Sequence, residues 1–284
     1  MSVKCDMTAI VLTKNEEKNI KRCLDSIKGF VKRIVVVDSG STDSTVEIAK
    51  SLGAEIYCHE FIHYAAQFNW ALDNVDVATK WVYRIDADEY VTPELASEIS
   101  QACHDHSDDD VNGFIMKFKI FFMGRFLTHG GIYPFYNLTI FKYGFGRYED
   151  RAMGEHIYLT QGKTIDLVND CLHYDFKDLD TWISKHNSYA TREVNDYFAI
   201  RDKHDDLESL YEEAEKAKSL RDNFYYKLPK FLRAHLYFIY RYYFKLGFLD
   251  GNAGKMHAFF QAYWYRFLVD SKIYERELKE KELS

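Results

Sequence analysis

Asp86 and Asp88 stand one residue apart in Ile85-Asp86-Ala87-Asp88-Glu89, directly behind the apolar run Trp81-Val82-Tyr83. Two carboxylates with that spacing at a strand end can face one hard cation, and such a cation can neutralise a diphosphate as it departs. Spacing alone is a weak signal, because Asp108/Asp110 and Asp178/Asp180 repeat it in stretches that read as solvated. Position separates the first pair from the others, since carboxylates behind an apolar run are costly to bury without a partner. Asp38 closes a second apolar run, Ile34-Val35-Val36-Val37, and its oxygens could accept from a base N–H or a ribose hydroxyl. Ser41, Thr42 and Asp43 already offer caps to the helix that follows, which leaves Asp38 freer for a ligand. In Thr13-Lys14-Asn15-Glu16, Asn15 and Glu16 serve equally well as helix caps or as ligand contacts.

Positioning these residues requires alternating elements. β-branched runs predict strands over Thr8–Leu12, Arg33–Val37, Glu55–Cys58, Trp81–Ile85 and Gly113–Phe121. Helical patterns fall over Glu17–Ile27, Ser44–Leu52, Ala65–Leu72 and Pro93–Ala102, the last opened by Thr92-Pro93. Such alternation implies an α/β fold, a mainly parallel sheet flanked by crossover helices. In open sheets of this kind ligands gather beyond the carboxyl ends of the strands, where three acidic segments converge here. No Gly-x-Gly-x-x-Gly follows the first strand and no P-loop is present, so a mononucleotide site with metal-held phosphates is the better reading.

A chain of 284 residues can bury a sizeable core, as one catalytic domain with an extension or as two packed units. Its net charge of -7 argues against nucleic acid as the main partner. Acidic stretches at Asp105–Asp110 and Asp202–Glu215 contrast with a basic, aromatic-rich stretch at Lys216–Arg241. Five widely spaced cysteines without a Cys-x-x-Cys pair indicate neither a disulfide framework nor a thiolate zinc site, and fit a reducing compartment. The first residues lack the sections of a secretory signal, which predicts a cytoplasmic location.

Val11 to Glu16, Val37 to Asp43 and Ile85 to Glu89 together resemble the nucleotide-sugar half of family 2 inverting glycosyltransferases with the GT-A fold, most closely bacterial lipopolysaccharide-core and capsule enzymes of the β-1,4-glucosyltransferase type. The resemblance extends to Gln67 and Asn69, to Gly124-Arg125-Phe126 with His129-Gly130-Gly131-x-Tyr133-Pro134, and to Met153-Gly154-Glu155-His156-Ile157. It implies a GT-A catalytic domain over 1–175, with a nucleotide-sugar half to about residue 120 and an acceptor half over 121–175, followed by a helical extension over 176–284. It places Thr13, Asn15, Glu16, Asp38, Gln67, Asp86 and Ala87 on a UDP-sugar donor, and Asp88 with His173 on a Mn2+ or Mg2+ ion. Glu155 is implied as the base that deprotonates the acceptor hydroxyl, with Glu149 and Asp150 close enough to compete for the role. The implied reaction moves a hexose to a glycan or lipid-linked acceptor in bacterial surface polysaccharide biosynthesis. Relatives often carry His or Asp where Gly154 stands and Arg where Thr139 stands, so substrates can be positioned differently while the chemistry is kept. His129, His156 and His186 read as acceptor contacts or as satisfied polar residues.

A helical projection of Pro229–Leu246 sets Lys227, Lys230, Arg233, Arg241 and Lys245 along one side, opposite Leu232, Leu236, Ile239, Tyr240, Tyr243 and Leu246, with Pro229 in the first turn. No apolar stretch there is long enough to span a bilayer. A helix lying on the inner face of an anionic membrane fits the pattern, as does an amphipathic helix packed on the catalytic domain. Two other functions compete with transfer. A sugar nucleotidyltransferase would want a Gly-rich loop with Arg after the first strand, and a carbohydrate-binding module has no need of Asp88 and Glu155 together.

Overall fold

The computed structural model describes residues 4–149, 156–202 and 225–283, which divide into two compact units, one within Met1–Phe126 and Pro134–Phe176, the other within Leu127–Tyr133 and Lys177–Ser284. In chain order the first carries β1 (Cys5–Thr13), α1 (Ile20–Ile27), β2 (Val31–Asp38), α2 (Thr45–Ser51), β3 (Glu55–Cys58), α3 (Tyr64–Asn74), β4 (Trp81–Arg84), β5 (Glu89–Tyr90), α4 (Pro93–Asp105), β6 (Val111–Phe122), β7 (Arg125–Phe126), β8 (Phe135–Lys142), β9 (Gly146–Tyr148), β10 (Ile157–Leu159) and β11 (Lys163–His173). The main sheet runs β3-β2-β1-β4-β8-β6-β11-β5. β3, β2, β1 and β4 are parallel, β8 lies antiparallel between β4 and β6, and β11 runs parallel to β6. The sheet is therefore mixed and flanked by helices. Both faces of its parallel part are covered, which is why those strands read as continuous apolar runs. Met7, Ala9 and Val11 pack with Ile20 and Leu24 of α1 and Leu95 of α4, while Ile10, Val35 and Val37 pack with Phe68 and Ala71 of α3.

Several boundaries differ from the expected ones for local reasons. The helix expected from Glu17 begins at Ile20, because Asn15 takes a left-handed φ of 55° and the Glu16 carbonyl accepts from Asn19 and Ile20 in a tight turn. β4 stops at Arg84, one residue before Ile85, and α4 continues to Asp105.

The second unit contains α5 (Leu179–Asp202), α6 (Leu232–Ile239) continued by π-helical turns at Tyr240–Phe244, a 3-10 turn at Gly247–Asp250, α7 (Gly251–His257), π-helical turns at Ala258–Trp264, and α8 (Tyr265–Leu283). Ala190, Val194 and Phe198 of α5 pack on Tyr265, Val269 and Ile273. Glu193 accepts from Tyr226, Tyr265 and Arg266 at 2.7–2.8 Å, and so has donors enough for a buried carboxylate.

Pro229 lies ahead of α6 rather than in its first turn, because Phe231, at φ 66°, reverses the chain before Leu232. The cationic side expected to face a membrane also needs correcting. Arg233 is 2% exposed and paired to the fully buried Asp270, and Lys230 pairs with Glu277. Asp270 also accepts from the Phe231 amide at 2.7 Å, so the same carboxylate holds the reversed turn. Among the described residues no helix is long and apolar enough to cross a membrane.

Two stability measurements follow from this packing. Asp270→Ala leaves a guanidinium buried without its partner and is expected to cost about 3–5 kcal/mol in urea denaturation, whereas Arg233→Met with Asp270→Leu restores much of it. Burial depresses His186 to about 4 and His257 to about 3, Arg241 adding to the second shift. Both rings thus stay neutral in the fold while the unfolded chain protonates below about pH 6.5. Stability is expected to fall from pH 6.5 toward 4, and the slope to flatten in a His186→Gln/His257→Gln variant followed by denaturant midpoint.

Candidate active site

The strand register builds the rim. Thr13 is paired with Asp38 across β1 and β2, so both strands end level, and the Thr13 hydroxyl donates to Asp38 Oδ1 at 2.8 Å. The Ser41 hydroxyl donates to the same oxygen at 2.5 Å, and the amides of Gly40 and Ser41 donate to Oδ2 at 2.9 and 2.7 Å. Asp38 is 2% exposed. With four donors on a carboxylate that offers about four lone-pair directions, it is engaged by its own loop and not left open as the capping argument suggests. The two loops lace together. The Asn15 amide donates to Ser41 Oγ, the Thr42 amide to Asn15 Oδ1, and the Glu16 amide to Thr45 Oγ1, all at 2.7–2.8 Å. Asp43 accepts from the Thr45 amide and hydroxyl, so the cap of α2 sits one residue ahead of Ser44.

Gln67, fully buried on α3, donates to Ser39 Oγ at 3.0 Å and to the His59 carbonyl at 3.1 Å, and its Oε1 lies 2.7 Å from His59 Nδ1. Its amide therefore positions the β2 loop. Asn69 exchanges two 3.0 Å bonds with the Tyr148 backbone and so ties α3 to β9.

Asp86, Ala87 and Asp88 form the tight turn from β4 to β5, closed by the Glu89 amide donating to the Asp86 carbonyl at 2.9 Å. Tyr64 donates to Asp86 Oδ1, and Arg84 Nη1 donates to Oδ2 at 2.6 Å. The same guanidinium nitrogen lies 3.6 Å from Glu89 Oε1. Burial pushes the Asp86 carboxyl up, but the Arg84 charge and the Tyr64 hydroxyl outweigh it and leave the group more acidic than an ordinary aspartate. Glu89 is held above the usual range by burial, Arg84 opposing and Asp86 reinforcing the rise.

Antiparallel pairing of β5 with β11 sets His173 opposite Glu89. His173 Nε2 lies 3.5 Å from Asp88 Oδ2, and Nδ1 lies 3.9 Å from Glu89 Oε1. Burial opposes protonation of this ring, yet Asp88, Glu89 and Asp86 together raise it to about 9. Asp88 is anchored by its own carbonyl, which accepts the Tyr174 amide at 2.9 Å. Asn19 donates to Glu16 Oε2 and Asp175 Oδ1 and accepts the Phe176 amide, fastening the chain after β11 to the same rim.

The structure thus gathers Thr13, Asn15, Glu16, Asp38 and Gln67 around the β1 and β2 ends, and Asp86, Ala87, Asp88 and His173 around the β4 end. Among the described residues no group of three or more His, Cys, Asp or Glu is arranged to hold a metal ion by itself. Glu155, with Asp150, Met153 and Gly154, lies outside the described residues; the β9–β10 hairpin, Ile157 paired with Tyr148, frames that segment. His129 is placed elsewhere, in the second unit, where its ring and amide engage the buried Asp250 at 3.0 and 2.8 Å.

Sequence reasoning missed Arg84, Tyr64 and Glu89. Arg84 had a readable signal, as a lone cation within an apolar strand. Tyr83 pairs with Ile140, so one residue further along the same two strands stand Arg84 and Thr139, the buried position at which Arg was expected from similar chains.

Residues 8–159, more than half of the chain, match the family model described as Glycosyl transferase family 2. The chain is 26% identical over 283 residues to the lipopolysaccharide core biosynthesis glycosyltransferase LpsC of Rhizobium meliloti (strain 1021), covering 97% of this chain and 94% of that one. It is 28% identical over 200 residues to an uncharacterized glycosyltransferase of Rickettsia typhi, covering 67% of each. Among solved structures, the mannosyltransferase PcManGT from Pyrobaculum calidifontis, in complex with GDP-Man and Mn2+, superposes with a TM-score of 0.54 at 16% identity, over 96% of this chain and 88% of that one. That likeness shows the fold, a GT-A-like sheet with a helical C-terminal region.

Removing the guanidinium tests the electrostatics of the rim. In metal-free Arg84→Met, Asp86 and Glu89 are expected to share a proton near neutral pH, seen as a rise of at least about two units in the Asp86 carboxyl titration by NMR. An unchanged titration would show that Arg84 does not set the charge there.

Proposed function

The chain belongs to glycosyl transferase family 2, and from that premise we propose that it is an inverting, metal-dependent transferase that moves a hexose from a UDP-sugar to a glycan or lipid-linked acceptor in bacterial surface polysaccharide assembly. The observation that carries this reading is the Asp86-Ala87-Asp88 turn at the β4 end, with His173 3.5 Å from Asp88. Similarity to LpsC along nearly the whole chain favours the lipopolysaccharide core among surface polysaccharides.

Asp88 and His173 would hold a Mn2+ or Mg2+ ion, as one oxygen and one nitrogen donor. Such an ion, when bound, neutralises charge developing on the leaving diphosphate. Glu89, beside Nδ1 of His173, orients the ring with Nε2 toward Asp88. Because Arg84 already balances Asp86, that carboxylate stays ionised without the ion, available with Ala87 to the donor's ribose and phosphates. Thr13, Asn15, Glu16, Asp38 and Gln67 form the nucleoside side, where a donor that reaches Asp38 displaces the Ser41 hydroxyl. Glu155 takes the proton of the acceptor hydroxyl as its oxygen bonds to the anomeric carbon, and the bond to the diphosphate breaks on the opposite face. A cytoplasmic enzyme working peripherally at the inner membrane face suits a lipid-linked acceptor.

Nucleotide release from a panel of UDP-hexoses, UDP-N-acetylhexosamines and GDP-mannose, with and without Mn2+ or Mg2+, tests the reading. Metal-dependent UDP release from one sugar is expected to fall by about a hundredfold in Asp88→Ala. With acceptor present, Glu155→Gln is expected to lose roughly 10²–10⁴-fold in transfer while retaining donor binding. Release that ignores both metal and Asp88→Ala sinks the metal assignment, and a panel in which no nucleotide sugar binds sinks the donor.

A further inference from the structure

Helix α6 (Leu232–Ile239) is amphipathic but faces the opposite way from an ordinary surface helix. Its cationic side turns inward, where Arg233 meets Asp270 and the neighbouring Lys230 meets Glu277. Arg241, in the π-helical turns that follow, donates through Nε to the Gly130 carbonyl and through Nη1 to Tyr237 at 2.7 Å. Its apolar side turns outward. Leu232, Leu236, Ile239 and Tyr243, spaced four, three and four residues apart, are all exposed on one face, and Phe244 at the end of the turns is 76% exposed. Isolated exposed leucines are ordinary, but a continuous stripe of this size leaves apolar area in water that a covering surface would remove.

The charge around the stripe favours one cover. Between Tyr225 and Leu249 the chain contains no Asp or Glu, while Lys227 and Lys245 are exposed near the two ends of the stripe. That charge pattern suits a neutral or anionic lipid surface. After Phe244 the chain turns sharply through Leu246, at φ 59°, which ends the stripe at its most exposed side chain. Tyr240 and Tyr243, exposed beside Ile239, combine an apolar ring with a hydroxyl suited to the headgroup zone.

We propose that the second unit docks on a lipid bilayer by inserting the Leu232–Leu249 stripe, Phe244 foremost, and that apolar insertion rather than charge attraction holds it there. The proposal rests on the lipid-linked acceptor reading above. It differs from a basic amphipathic anchor, because of the five Lys and Arg between Tyr225 and Leu249 three, Lys230, Arg233 and Arg241, are already engaged by protein partners.

Flotation with phosphatidylcholine vesicles, with and without a quarter phosphatidylglycerol, tests it. Wild-type protein is expected to float with both, within about threefold, and to stay bound as NaCl rises from about 0.05 to about 0.5 M. Leu236→Asp/Phe244→Asp is expected to reduce binding by roughly tenfold or more, and Lys245→Gln by less than about threefold, with circular dichroism unchanged. Protein that ignores vesicles, or that salt releases while the double aspartate variant still binds, overturns the proposal. So does a wild-type dimer in light scattering that the double variant disperses, since a second copy then covers the stripe. Donor turnover in vesicle-free buffer separates the two readings: turnover without flotation rejects the docking surface alone, and flotation without turnover rejects the proposed reaction alone.

Discussion

Asp86, Asp88 and Glu89 fall within four consecutive residues, and Glu89 is almost wholly withdrawn from solvent. Carboxylates gathered in water-poor surroundings favour protonation, because burial penalises the charge and each ionised neighbour opposes the next. Arg84 reverses that tendency at one point. Its guanidinium, 4% exposed, contacts Asp86 at 2.6 Å and Glu89 at 3.6 Å, so Asp86 remains ionised while Glu89 takes the upward shift. Beside that balance stands Asp88, with His173 Nε2 3.5 Å from its Oδ2.

The rest of the rim solves a geometric problem. Loops that end parallel strands must stay ordered without secondary structure of their own, and here they do so by borrowing donors and acceptors from one another. Asp38 gathers four donors, Asn15 bridges to Ser41 and Thr42, and Gln67 reaches from a buried helix to Ser39. Several residues that look like ligand contacts in the sequence are therefore scaffold in this structure.

In the second unit the same economy of charge has an outward consequence. Turning cations inward against Asp270 and Glu277 satisfies them, yet it commits the other side of the helix to solvent. Sequence periodicity detects that a helix has two sides but not which side its neighbours will cover, since that depends on a carboxylate 37 residues away.

The alternation of β-branched runs with helical patterns determined the α/β class, and the acidic residues closing those runs were legible as strand ends, because period and strand polarity are local properties of the chain. The strand cores at β1 to β4 were legible for that reason, as was the placing of Asp38 at the end of β2 and of the Asp86-Ala87-Asp88 turn behind β4. The tie of Asn19 to the chain after β11, the closing of Asp38 against Thr13 of β1, the role of Arg84 and the orientation of α6 were decided only by tertiary structure. Each turns on a partner distant in sequence: Asp175 and Phe176 for Asn19, Thr13 for Asp38, and Asp270 for Arg233. Arg84 is the exception that shows the limit, since its partners Asp86 and Glu89 are near in sequence, but only burial in the folded sheet makes their contact strong enough to set the charge of the site.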